Sequence, residues 1–186
     1  MPGIRPYERS DIDSVRSICL KTTDMRKKTE VERKAIINTF CNYYVECEPQ
    51  NCFVAVDDDD NAVGYIICAE NYSRYEKNFF EKYYPIIKKF GTFKAMLAKA
   101  SAMITKRYAG FYPAHMHIDI LPEYQRMGLG TQLMDTLVNH LKQKKIRGLM
   151  LVVGAKNEKG ISFYQKYGFK KIATVSGSVV MGLELM

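Results

Sequence analysis

With 186 residues, 47% of them hydrophobic and 26% charged, the chain has the size and composition of one ordinary globular domain with a sizeable core. It lacks a window near the ~18 apolar residues that a membrane helix needs, and an apolar leader is missing from MPGIRPYERSDI, so the expectation is a cytoplasmic protein without membrane contact. The formal net charge of +8 suits an anionic ligand, but the basic residues form no tract, and nucleic acid is not the expected one.

Gly3 to Tyr7 reads as a first strand, and Ser10 with Asp13 resembles a capping box opening a helix with Ile12, Val15, Ile18 and Cys19 on one face. A polar loop from Thr22 to Thr29 leads to a second helix, expected from about Glu32 to Val45. Phe53–Val56 and Val63–Ala69 flank Asp57–Asn61 as a hairpin. Its four aspartates lack the alternate spacing, glycine and distal glutamate of a calcium loop, so the expectation is a solvated turn.

Between Asn71 and Tyr112 the composition shifts to tyrosine and phenylalanine, and Gly91-Thr92 opens a helix with Phe93, Met96, Leu97, Ala100, Met103 and Ile104 at helical spacing. Two readings stand for this helical insertion, a hairpin packed on a sheet or a wall of a substrate pocket. The five cysteines (Cys19, Cys41, Cys47, Cys52, Cys68) show no CxxC spacing, which favours reduced thiols over a disulfide frame or a zinc site.

The chain then becomes regular. His115 to Leu121 alternates, with Met116, Ile118 and Ile120 on one face and His115, His117 and Asp119 on the other. A helix from Thr131 to Lys145 is followed by a strand at Leu149–Val153, apolar enough to be covered on both faces. Asn157 to Tyr167 reads as a short helix closed by Gly168, and Ile172–Val175 and Val179–Leu185 form a final hairpin.

The most informative segment is the turn Gln125-Arg126-Met127-Gly128-Leu129-Gly130-Thr131 between a strand and a helix, a place where bare backbone can approach a phosphate. A P-loop is excluded because Gly130 is followed by Thr131-Gln132. A dinucleotide fingerprint is excluded because Leu133 stands where its third glycine belongs and residues 149–153 offer no acid. The turn is similar to the Q/R-x-x-G-x-G/A turn of the GNAT acetyltransferases. Asn157 with Phe163-Tyr164 through Gly168-Phe169 resembles the N…FYxxxGF signature of the same family. Residues 112–123 also resemble the acetyltransferase-like domain of O-GlcNAcases and bacterial relatives.

The resemblance implies a single acetyltransferase-like domain over residues 1–186 with a helical insertion at about 71–112. The fold expected is α/β, a mixed, mostly antiparallel splayed sheet with helices on both faces. It implies acetyl-CoA as co-substrate and transfer to a primary amine of a small-molecule or peptide acceptor in a ternary complex. Backbone from Gln125 and Arg126 through Met127, Gly128, Leu129, Gly130 and Thr131 would hold the pyrophosphate. Amides near Ile120 and Leu121 would face pantetheine, Asn157 would contact it or cap its own helix, and Tyr164 would protonate the departing thiolate.

For the base, Asp119 stands first and His117 second, with a bulk-water route open. The string His115-x-His117-x-Asp119 falls short of a zinc ligand set because Ile120 follows and His140 lies in a helix, so no metal is expected. A catalytically silent acyl-CoA-binding or protein-interaction module is the alternative function. A homodimer through an edge of the final strand is open as well.

Overall fold

The computed structural model describes residues 3–23 and 29–186. A single seven-stranded sheet carries the strands β1 (Gly3–Pro6), β2 (Cys52–Val56), β3 (Ala62–Ala69), β4 (Ala114–Ile120), β5 (Gly148–Gly154), β6 (Lys170–Val175) and β7 (Ser178–Glu184). Their spatial order is β1-β2-β3-β4-β5-β7-β6, and every neighbouring pair is antiparallel except β4 with β5. That parallel pair holds only at Ala114–Leu149 and His115–Met150. From Met116 onward β4 stays paired with β3 while β5 stays paired with β7, so the sheet opens between them.

The helices α1 (Ile12–Thr22), α2 (Glu30–Phe40) and α3 (Asn42–Cys47) lie over the face that carries Tyr65, Ile67, His115 and His117. Helix α7 (Leu129–Gln143) covers the other face, where His140 meets the Phe53 ring at 5.5 Å. One side of α7 buries Leu129, Leu133, Met134, Leu137, Val138 and Leu141, the i, i+4 spacing of an amphipathic helix on a sheet. Helix α8 (Glu158–Tyr167) follows β5 and ends at Gly168, whose φ of 119° is the left-handed cap that only glycine takes cheaply.

Several local expectations change. The reciprocal cap before α1 uses Glu8 and Asp11, not Ser10 and Asp13, and Asp11 also accepts from the two terminal nitrogens of the Arg5 guanidinium at 2.8 and 2.9 Å. The helix expected over Glu32–Val45 is two helices, broken at Cys41 with φ −131° and ψ −60°. The aspartate turn is not merely solvated: Asp57 accepts from the Asp59 and Asn61 amides, and Asp60 pairs with Arg5 at 2.9 Å. Most of the loop at 22–29 lies outside the described residues. The last strand, β7, sits between β5 and β6, so both its edges are paired and the free edges belong to β1 and β6.

The insertion comprises α4 (Tyr72–Asn78), a π-helical turn (Phe79–Tyr83), α5 (Tyr84–Lys89) and α6 (Thr92–Tyr108). It leaves the sheet between β3 and β4, which pair with each other, and its neck is closed by the Tyr72 amide on the Pro113 carbonyl at 3.1 Å. Helix α6 turns a face of small residues inward (Ala95, Ala98, Ala102, Thr105) and leaves Phe93, Met96, Leu97 and Met103 exposed. The bulky stripe that the spacing marks as a core face therefore points to solvent. The small side chains face α5, with α4 and β5 beside it. Among the described residues no helix is long and apolar enough to cross a membrane.

Candidate active site

The two glycines of the turn serve different needs. Gly128 is the N-cap of α7 with φ 81°, and a Cβ there would meet nothing closer than Gln132 Nε2 at 3.8 Å. It is required for its backbone angle. Gly130 sits in a tight place: a Cβ there would stand 3.3 Å from the Phe163 ring, which would have to give by a few tenths of an ångström, and 3.6 Å from Ile120. Arg126 also takes a positive φ, 64°, and the turn is pinned to β4 by Gln125 Nε2 donating to the Ile120 carbonyl at 2.9 Å. Residues 125–128 are exposed, and the first turn of α7 carries no acid, so its free amides offer an open positive end.

The turn that carries those amides lies at the end of β4, against Ile120 and the Phe163 ring of α8. The Leu121 amide donates to the Val63 carbonyl at 2.9 Å, so it is already used within the sheet. Alternation along an antiparallel ladder then turns the Ile118 and Ile120 amides the other way, into the gap. Ile118, not Leu121, joins Ile120 as a donor facing the cleft.

On the helical face of β4 lie the titratable groups. Asp119 is pushed up to about 6 by burial, against hydrogen bonds from Tyr65 and Thr22 that favour its ionised form. Tyr65, directly opposite in the ladder and fully buried, donates to it at 2.5 Å. His117 shares a 3.2 Å hydrogen bond with the Tyr44 hydroxyl, packs against Phe40 and Tyr44, and is pulled down to about 4 by burial. Of the two, Asp119 is the stronger base. Among the described residues no group of three or more His, Cys, Asp or Glu is placed to hold a metal ion.

Helix α8 brings in the remaining groups. Asn157 is its N-cap, accepting from the Gly160 amide at 2.9 Å, and Gly160 is needed because a Cβ would stand 2.8 Å from the Asn157 amide nitrogen. Tyr164 packs between Phe163 (5.3 Å) and Phe169 (5.7 Å). Burial, then the charge of Asp119, raise its phenol above the ordinary value, so it keeps its proton throughout the neutral range. Asp119 and Tyr164 thus lie near enough for the charge of one to act on the other, although they belong to different elements.

At the root of the opening is a small cavity of ≈ 20 Å³, room for one water-sized group and open to solvent, bounded by His115–His117 of β4 and Met150–Val152 of β5. Its far wall comes from α6 and from Tyr44 and Tyr75, so the insertion does wall a pocket. Three of its tyrosines also build core: Tyr72, Tyr75 and Tyr83 are each at most 5% exposed. Tyr65, Ile118 and Tyr44 are the site residues that the sequence alone does not single out. Only the β3–β4 register could have marked Tyr65, and only the ladder's alternation Ile118.

Comparison with known proteins bears on the fold and the family. The [ribosomal protein bS18]-alanine N-acetyltransferase of Escherichia coli (strain K12) is 36% identical over 55 residues. That match covers 30% of this chain and 37% of the relative, so the chain spans little more than a third of that protein's length. The crystal structure of SsHAT superimposes with a TM-score of 0.90 at 26% identity, covering 100% of this chain and 98% of that one. PaiA N-acetyltransferase from Thermoplasma acidophilum, solved in complex with coenzyme A, superimposes with a TM-score of 0.63 at 17% identity over 99% of both chains. The profile of the acetyltransferase (GNAT) family matches residues 18–169, from within α1 to just past α8 and through both the glycine turn and the opened strand pair, and the chain belongs to that family.

Proposed function

We propose that the protein moves an acetyl group from acetyl-CoA to a primary amine of a small-molecule or peptide acceptor by direct attack in a ternary complex. The observation that carries this reading is the β4–β5 opening, with the Ile118 and Ile120 amides turned away from β3 on one wall, the glycine turn pinned to the end of β4, and Asp119 and Tyr164 near enough for the charge of one to act on the other. Backbone from Gln125 to Thr131 binds the pyrophosphate, and the pantetheine arm lies along β4 with the Asn157 carboxamide nitrogen on its path. The Ile118 and Ile120 amides receive the thioester oxygen as it gains charge.

The amine nitrogen attacks the thioester carbon, a C–N bond forms and the C–S bond breaks. The proton lost from nitrogen passes to Asp119 and from there to solvent. The departing sulfur takes its proton from Tyr164, and the phenolate, being a strong base, takes a proton back from solvent. With the phenol raised above its ordinary value, that transfer follows the growth of charge on sulfur and does not precede it. His117, held by Tyr44 and pulled to about 4, orients the wall and is too weak a base to compete with Asp119.

The test is thiol release from acetyl-CoA with a mixed panel of primary amines, wild type against Tyr164→Phe. Amine-dependent release in wild type, cut in the variant with CoA affinity kept, is the expected result. Tight CoA binding by the wild type with no release for any amine overturns it.

A further inference from the structure

The cavity at the root of the opening contains one group that the proposed transfer does not use. His115 is 6% exposed, and neither of its ring nitrogens has a hydrogen-bond partner. Its ring is seated among those of Tyr75 at 4.4 Å, Tyr44 at 5.6 Å and Tyr72 at 5.9 Å. A buried polar side chain unmet at both ends is an exception in folded proteins and calls for a partner. The cavity that His115 lines is where one can come from.

The chemistry of that partner is constrained. Burial and the neighbouring His117 push His115 down to about 3, so at neutral pH it carries one N–H donor and one lone-pair acceptor. No lysine, arginine, aspartate or glutamate lines the cavity. A charged group entering it would lose its water with no counter-charge to receive it. An apolar group would leave the imidazole unmet. The threonine hydroxyls on the wall are already given away, Thr39 to the Ala35 carbonyl and Thr105 to the Ser101 carbonyl.

We infer that this cavity is the subsite for an uncharged polar group of the acceptor, a hydroxyl or carboxamide a few bonds from the reacting amine, and that His115 is the residue that reads it. The inference rests on the acetyl-transfer reading. It deepens that reading by setting polyamines and acceptors with a second charge near the amine apart from hydroxyl- or amide-bearing ones. At a strand rise of about 3.3 Å per residue, His115 lies about 10 Å along β4 from Ile118, which suits a spacer of about five carbons.

The experiment uses four probes of matched length: 5-amino-1-pentanol, hexylamine, 1,5-diaminopentane and 5-aminopentanoate. Wild type is expected to prefer 5-amino-1-pentanol by at least about tenfold in kcat/KM over each of the others, since a site built around a hydroxyl leaves its own buried group unpaired with the wrong ligand. His115→Leu should erase that ratio, and His115→Gln, which keeps a donor and an acceptor, should restore part of it. Independently of turnover, the ring-nitrogen NMR signals of His115 should move when 5-amino-1-pentanol is added to the CoA-bound wild type. Turnover with equal rates for alcohol and diamine overturns the inference, as does an unmoved His115 signal. No turnover with a moved signal leaves the cavity assignment standing and removes the acetyl-transfer reading instead.

Discussion

Tyr65 and Asp119 stand directly opposite each other on β3 and β4, and the phenol donates to the carboxylate at 2.5 Å. Burial lifts Asp119 to about 6 against this hydrogen bond, which favours the ionised form, so the pair sets the proton affinity of Asp119.

The rate should therefore depend on pH with an acid limb. Asp119 accepts a proton only when ionised, so kcat/KM should fall below about pH 6 in wild type. Tyr65→Phe removes a bond that favours the ionised form, so the limb should move to higher pH with the plateau retained. Asp119→Asn should abolish the limb and lower the plateau by roughly 10²-fold or more. Pre-steady-state pH profiles distinguish this from a bulk-water route, for which no limb at this position would appear.

The same shift makes a stability prediction. The folded value of Asp119 lies above its ordinary 3.8, so it stabilises the fold below that value and loses this contribution as pH rises through about 6. The melting temperature of Asp119→Asn relative to wild type should therefore increase between pH 4.5 and pH 8, as read by scanning calorimetry.

Glu70 has the opposite sign. Burial raises it, but Lys144, Arg74 and Asn51 outweigh burial and bring it down to about 2. Its stabilisation is present above its ordinary 4.5 and is lost as pH falls toward 2. Lys144→Met should flatten that part of the acid-unfolding curve, as measured by circular dichroism between pH 5 and pH 2.

In the glycine turn, Gly128→Ala and Gly130→Ala should fail for different reasons. At Gly128 the cost is a left-handed angle, about 1 kcal/mol of stability. At Gly130 the new methyl presses on Phe163, which shifts α8 and with it Asn157 and Tyr164, so CoA affinity should fall further than stability. Calorimetric titration with CoA beside denaturant unfolding separates the two.

The two faces of α6 and the core under α7 provide a packing test. Leu133→Ala, fully buried, should cost about 3 kcal/mol. Leu97→Ser, on the outward stripe at 53% exposure, should change stability by no more than about 0.5 kcal/mol. Urea denaturation of both variants measures this.

Legibility in the sequence followed the range of the forces involved. The turn from Gln125 to Thr131, the Asn157 cap, the Gly168 stop and the amphipathic face of α7 could be read because each is set by backbone angles or by spacing within a few residues. The break at Cys41 and the inward alanine face of α6 could not, since apolar spacing marks a face without saying what lies against it or how close. The turn proposed to hold the anionic end of the ligand is thus a property of the chain itself. What would meet the rest of that ligand was decided by tertiary structure alone: β7 inserted beside β5, β4 parted from β5 beyond His115, and Tyr65 placed on Asp119. Burial then moved Asp119 and both histidines of β4 away from their ordinary proton affinities, and burial depends on every element packed around a residue and not on its neighbours in sequence.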